Sequence, residues 1–267
     1  MTGNIIVYIF ILILLIFFYL ILKIILIDIY IYIKMREYFL DIPTIIIGII
    51  IYIFISKLSI SRYFETKEKI LILFVVQIFG LIYDGLIILL GFSMSEGVLM
   101  FFNQLRFIFH GILVPLLILF SGYALDLKNI SFYINLFINI ILSIIGLILG
   151  AIAKLKIVED TVLKRCTFAN DIPPIIKIIF TVMNIGSVIY MIVVGIILFL
   201  RKKDYFFFLS GLFMLIFSAI GPATGNADLN YLLSMYGEVL MIIFLYLFFI
   251  KKEKIEQLES NYLEVIN

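Results

Sequence analysis

Residues 69–91 read KILILFVVQIFGLIYDGLIILLG. This run has one charge in its interior, Asp84, and is otherwise almost wholly apolar. A helix needs about 20 such residues to cross the hydrocarbon core of a bilayer. Outward from it, seven more stretches of the same kind cover roughly 4–27, 42–60, 98–122, 130–153, 174–200, 204–222 and 230–250. Lys57 cuts the 42–60 stretch short. The expected fold is therefore all-α: a polytopic transmembrane helix bundle of eight spans, with a seven-span core and an additional N-terminal helix.

Composition agrees. Of 267 residues, 65% are hydrophobic and 14% charged, against roughly 45–50% and about 25% in soluble domains. Such a chain needs lipid as its solvent. A net charge of +2, with no basic stripe, gives no reason to expect nucleic acid. Membrane lipids are the expected surroundings. The single Cys166 excludes an intramolecular disulfide, and the single His110 excludes a multi-histidine metal site within one chain. No cofactor or metal is expected. The first stretch has no basic leader and no small-residue cleavage site, so it reads as a retained helix.

Three regions follow. Residues 1–41 make an N-terminal span and connector, 42–250 the seven-helix core, and 251–267 a tail. In the tail Ile255, Leu258, Tyr262 and Val265 fall at heptad-like spacing, which suits a cytoplasmic amphipathic helix or a helical extension of the last span. Orientation follows the bias of Lys and Arg toward the cytoplasm. With eight spans one side carries Lys57, Arg62, Lys67, Lys69, Lys128, Arg201, Lys202, Lys203, Lys251, Lys252 and Lys254. The other carries Lys23, Lys34, Arg36, Lys154, Lys156, Lys164, Arg165 and Lys177. Both termini are thus expected in the cytoplasm of a cell-membrane protein, whereas a seven-span chain would alter the reading at the first two stretches. The 151–173 connector holds Glu159, Asp160 and Asp171 before Pro173-Pro174. It is either a lid or binding element or a plain surface connector.

Charges inside apolar spans are functional candidates by default, because a bilayer tolerates them only when paired or wetted. Asp84 and Arg106 lie on adjacent antiparallel spans at matching depth, about 5–6 Å from mid-span at 1.5 Å per residue, and are expected to pair. Glu238, one or two residues from the middle of the last span, and Asn184 on the sixth add to the same polar layer. Asn103, Arg106 and His110 recur at i, i+3, i+7, on one helix face. Gly111 permits close approach of a neighbouring helix, and Pro115 should break the helix and free a carbonyl. The candidate ligand-binding set is Asp84, Asn103, Arg106, His110, Asn184 and Glu238. Asp84, His110 and Glu238 are the candidates for acid–base work.

The segments Tyr83-Asp84-Gly85 through Gly91, Leu105-Arg106-Phe107-Ile108-Phe109-His110-Gly111 through Leu117, and Gly237-Glu238 resemble a family of small polytopic bacterial membrane proteins. Some members carry the label phospholipid phosphatase. The resemblance covers about residues 42–250, and many members have Asp-Asn where this chain has Asp84-Gly85. The common lipid phosphatase mechanism needs two histidines, which this sequence lacks. Three readings stay open. One is a binding or transport protein whose pocket takes a small anionic or lipid-like ligand on Arg106, with Glu238 and His110 able to exchange protons. Another is an intramembrane enzyme acting on a lipid head group. The last is a structural protein whose polar layer only fixes helix packing.

Overall fold

The structure, a computed structural model, describes residues 41–158, 164–223 and 227–266. The 4–27 stretch, Glu159 and Asp160 lie outside the described residues, as do the tail side chains of Tyr262 and Val265. From Thr44 onward the chain packs as one unit.

Among the described residues, eight α-helices and one hairpin follow in order: α1 (Asp41–Thr66), α2 (Lys69–Leu90), α3 (Glu96–Leu113), α4 (Leu116–Ala124), α5 (Asn129–Ile152), β1 (Leu155–Ile157), β2 (Cys166–Phe168), α6 (Pro174–Lys202), α7 (Phe206–Ala223) and α8 (Ala227–Ile266). Seven helical segments among the described residues are long and apolar enough to cross a membrane, with α3 and α4 counting as one. The molecule is a multi-pass helical membrane bundle. Expected and observed spans agree closely from 69 onward. The 42–60 span is longer than expected: α1 continues past Lys57 to Thr66. The last span is a single helix that runs on into the tail region.

Local chemistry sets the helix ends. Pro173 and Pro174 open α6, where a missing N–H costs nothing. Lys203 closes it in the left-handed conformation, with φ 53°. The Asp204 carboxylate then accepts the Phe206 N–H at 2.9 Å and caps the start of α7. Pro115 divides one span into α3 and α4. Just before the break, the Ile112 carbonyl accepts the Ser143 hydroxyl from α5 at 3.0 Å. A neighbouring helix thus supplies hydrogen bonding beside a proline break inside the membrane.

Small residues set the helix crossings. A Cβ on Gly111 would lie 2.3 Å from the Gly146 carbonyl oxygen, so α3 and α5 meet backbone to backbone. Gly195 does the same for α6 against α7, at 2.4 Å from the Phe208 Cα. Close crossings of this kind hold membrane helices through dispersion, because lipid removes the hydrophobic drive between them.

Within the 151–173 connector the described residues form an antiparallel hairpin pairing Leu155 with Phe168 and Ile157 with Cys166. This small sheet is an addition to the all-α expectation. Leu99, Ala153, Leu155, Cys166 and Ile172 form a core beneath it. Phe107, Phe168 and Phe180 pack with ring centroids 4.9–6.0 Å apart. The hairpin marks one end of the bundle. Ion pairs mark the other: Arg62–Glu253 at 2.6 Å, Lys251–Asp204 at 2.8 Å, and Asp126 with both Lys202 and Lys252.

Candidate functional site

Asp84 and Arg106 are bonded: the guanidinium Nε donates to a carboxylate oxygen. The antiparallel α2–α3 hairpin puts them at one depth. The Tyr231 hydroxyl of α8 donates to the other Asp84 oxygen at 3.4 Å. The Asp84 side chain is 8% exposed and that of Arg106 18%, so the acid is sealed while the guanidinium reaches open space.

That space is a vestibule of about 1100 Å³ at the hairpin end, open on one side. Arg106 and Phe107 line it from α3, Lys156, Arg165 and Thr167 from the hairpin, and Asn230 from α8. The Tyr231 ring lies 5.8 Å from the Arg106 guanidinium and 5.4 Å from that of Arg165. One aromatic ring therefore holds two cations near a common space, the arrangement of a cation–π clamp. Glu96 and Gly97, in the first turn of α3, also line the vestibule. The amino ends of α3 and α8 thus border it, and helix amino ends favour anions. Among the described residues, Glu96 is the one acidic side chain in the wall.

A second space, a chamber of about 90 Å³, lies between the helices. Gln77 of α2, His110 of α3, Asn184 of α6, Ser218 of α7 and Glu238 of α8 line it among apolar neighbours such as Leu81, Val114, Leu117, Val188 and Met241. Glu238 is 7% exposed and Gln77 3%. The Gln77 and Asn184 carbonyl oxygens are buried without a hydrogen-bond partner among the described residues. A smaller void, bordered by Asp84, Arg106, His110 and Gln77, lies between vestibule and chamber. Beyond the chamber, toward the ion-paired end, Phe74, Phe120 and Phe249 pack with centroids 5.1–6.2 Å apart and are 0–4% exposed.

The six candidates thus divide. Asp84 and Arg106 sit together beside the vestibule. His110, Asn184 and Glu238 share the chamber. Asn103 is elsewhere: its amide donates to the Leu99 carbonyl at 2.9 Å and its oxygen accepts the Cys166 N–H at 3.2 Å, tying α3 to the hairpin. Being one turn from Arg106 gave it the same helix face but a different neighbour.

Sequence reasoning missed Lys156, Arg165 and Asn230 as lining residues. The first two counted only toward orientation, because nothing in three-residue strands shows that a connector folds back over a pocket. The hairpin's own electrostatics are ordinary. The hydrogen bond and charge of Lys154, at 3.0 Å, hold the Asp171 carboxyl below the usual range. Burial pushes the Cys166 thiol up to about 11, against a smaller opposing pull from Arg106.

No protein-family model matches the chain, and no curated protein matches it.

Proposed function

We propose that this protein binds or transports a polar or lipid-like ligand with an anionic group, in a pocket within the outer half of a cell membrane. The observation that carries the reading is the position of Arg106. Its guanidinium forms part of the wall of a large open vestibule while its buried partner Asp84 holds it in place. Arg165 and Lys156 add positive charge around the same space, and a guanidinium offers forked donors that match carboxylate or phosphate geometry. In this reading the hairpin end faces outward. The first apolar stretch crosses as an eighth span, and both termini lie in the cytoplasm. The charge bias of the short loops supports that orientation.

The enzymatic reading draws less support from the geometry. His110 and Glu238 line a chamber of about 90 Å³, too small for a lipid head group, whereas Arg106 serves a different space. The packing-only reading leaves the vestibule without a role.

The deciding experiment is mass spectrometry of what co-purifies with the wild type and with a folded Arg106→Gln variant. The expected outcome is an anionic lipid or metabolite retained by the first and lost from the second. Identical, bulk-like lipid from both would favour packing alone.

A further inference from the structure

The chamber contains acceptors that no donor reaches. Gln77 and Asn184 each present a buried carbonyl oxygen with no partner among the described residues. Glu238, more than nine-tenths buried, makes no hydrogen bond or ion pair among the described residues, and the same holds for both ring nitrogens of His110. These side chains come from four helices and meet around one space whose remaining wall is mostly apolar. Buried polar groups in native proteins are almost always satisfied, so the chamber needs an occupant that supplies hydrogens or positive charge.

Charge narrows the choice. Asp84 on α2 and Arg106 on α3 are paired and sum to zero. The titratable groups around Glu238 are Tyr52 on α1, Asp84 on α2, Arg106 and His110 on α3, and Tyr231 on its own helix. From α6 and α7 the chamber receives Asn184 and Ser218, which do not titrate. Among the described residues no cation is bonded to Glu238, so an ionised carboxylate there would be a bare charge inside a membrane, and such groups take up a proton instead. A neutral carboxyl also provides the missing donor, an O–H for one of the waiting amide oxygens. About 90 Å³ then leaves room for roughly three waters at about 30 Å³ each.

We propose that this chamber is a hydrated proton site, with an exchangeable proton on Glu238 that reaches it from the vestibule side through His110. His110 borders both the chamber and the small void beside the Asp84–Arg106 pair, as do Gln77, Leu81 and Val114, and of the four it has the ring that can take a proton on one nitrogen and give one from the other. In the exchange, hydronium in that void gives a proton to the unprotonated ring nitrogen: its O–H bond breaks as the N–H bond forms, and water remains behind. The N–H bond on the other nitrogen breaks, and its proton passes over chamber water to re-form the O–H of Glu238, whose own proton has left by the same path in reverse. The imidazole ends neutral in its other tautomer, and each outward transfer restores the first, so one proton enters for each that leaves. The aromatic packing of Phe74, Phe120 and Phe249 fills the opposite direction, so in this proposal the proton comes and goes on the vestibule side.

The test is infrared difference spectroscopy on the full chain in lipid membranes, in sodium-free buffer. It needs no ligand, so it stands or fails apart from the anion-binding reading. The expected result is a carboxylic-acid C=O band that shifts in heavy water, disappears in Glu238→Gln and is unchanged by added sodium chloride. Deuteration should slow at least tenfold in His110→Phe and also in Asn184→Leu, which removes a water partner. If Glu238→Gln does not fold, Glu238→Asp should move the band and so identify it. A band absent in the wild type, abolished by sodium, insensitive to heavy water, or retained in Glu238→Gln overturns the proton site. Unchanged deuteration in His110→Phe overturns the route.

Discussion

Removing the Asp84 carboxylate leaves the Arg106 guanidinium held by Tyr231 and open space but with no counter-charge. Asp84→Asn should lower stability by about 2 kcal/mol, because the guanidinium loses its charged hydrogen-bond partner. The double variant Asp84→Asn/Arg106→Gln should recover most of that loss. A double-mutant cycle by thermal unfolding in micelles measures it, and additive losses would mean the pair is not coupled. Cys166 gives a pH signature. With its thiol pushed up to about 11, roughly one thiol in a thousand is thiolate at pH 8, so alkylation should be slow there and rise steeply with pH. The unfolded thiol ionises near 8.5. The folded state disfavours the thiolate, so this contribution to stability is intact below about pH 8.5 and declines as pH rises toward 11. Cys166→Ala should remove that alkaline decline, which unfolding followed against pH will show. The Asp84–Arg106 pair was legible in the sequence because equal depth on adjacent antiparallel helices leaves few other partners. The division of the polar layer into two spaces was not. Helical spacing gives a face, but Asn103 and Arg106 share a face and meet different neighbours.

At the level of elements, Gly111 and Gly146 fix how near α3 and α5 come. Gly111→Ala puts a methyl 2.3 Å from a backbone oxygen that has no side chain to move aside. It should cost about 1–3 kcal/mol as an overpacked contact, despite alanine's helix preference of about 1 kcal/mol. A methyl added at Gly186 would meet nothing within 4 Å, so Gly186→Ala should be neutral or stabilising. Unfolding midpoints of the two variants, compared side by side, check both expectations. The spans themselves were readable, since twenty apolar residues bounded by charge admit one interpretation. So was the break at Pro115, because proline removes a donor wherever it sits. The strands Leu155–Ile157 and Cys166–Phe168 were not readable. Three residues are too few for alternation to show, and what holds them is a core contributed by α3, α5 and the residues just before α6.

For the whole molecule, orientation governs which solution fills the vestibule. With Cys166→Ala as background, a cysteine at Lys156 should react with a membrane-impermeant maleimide in intact cells, and one at Lys128 only after lysis. The reverse pattern would place the vestibule in the cytoplasm. The helices also differ in how much of themselves they give to the interior. In α8, 72% of the apolar window is buried, against 22% in α5. The span around which the others assemble is therefore the last of the seven to leave the ribosome. Until it arrives, Gln77, His110 and Asn184 have only lipid or each other for company, while Asp84 and Arg106 have already met in the α2–α3 hairpin. Asp84 and Arg106 enter the membrane as a neutralised couple, whereas Gln77, His110 and Asn184 stay uncovered until α8 completes the chamber wall. A nascent chain halted after α7 would thus hold polar side chains against lipid, and the arrival of α8 is what covers them.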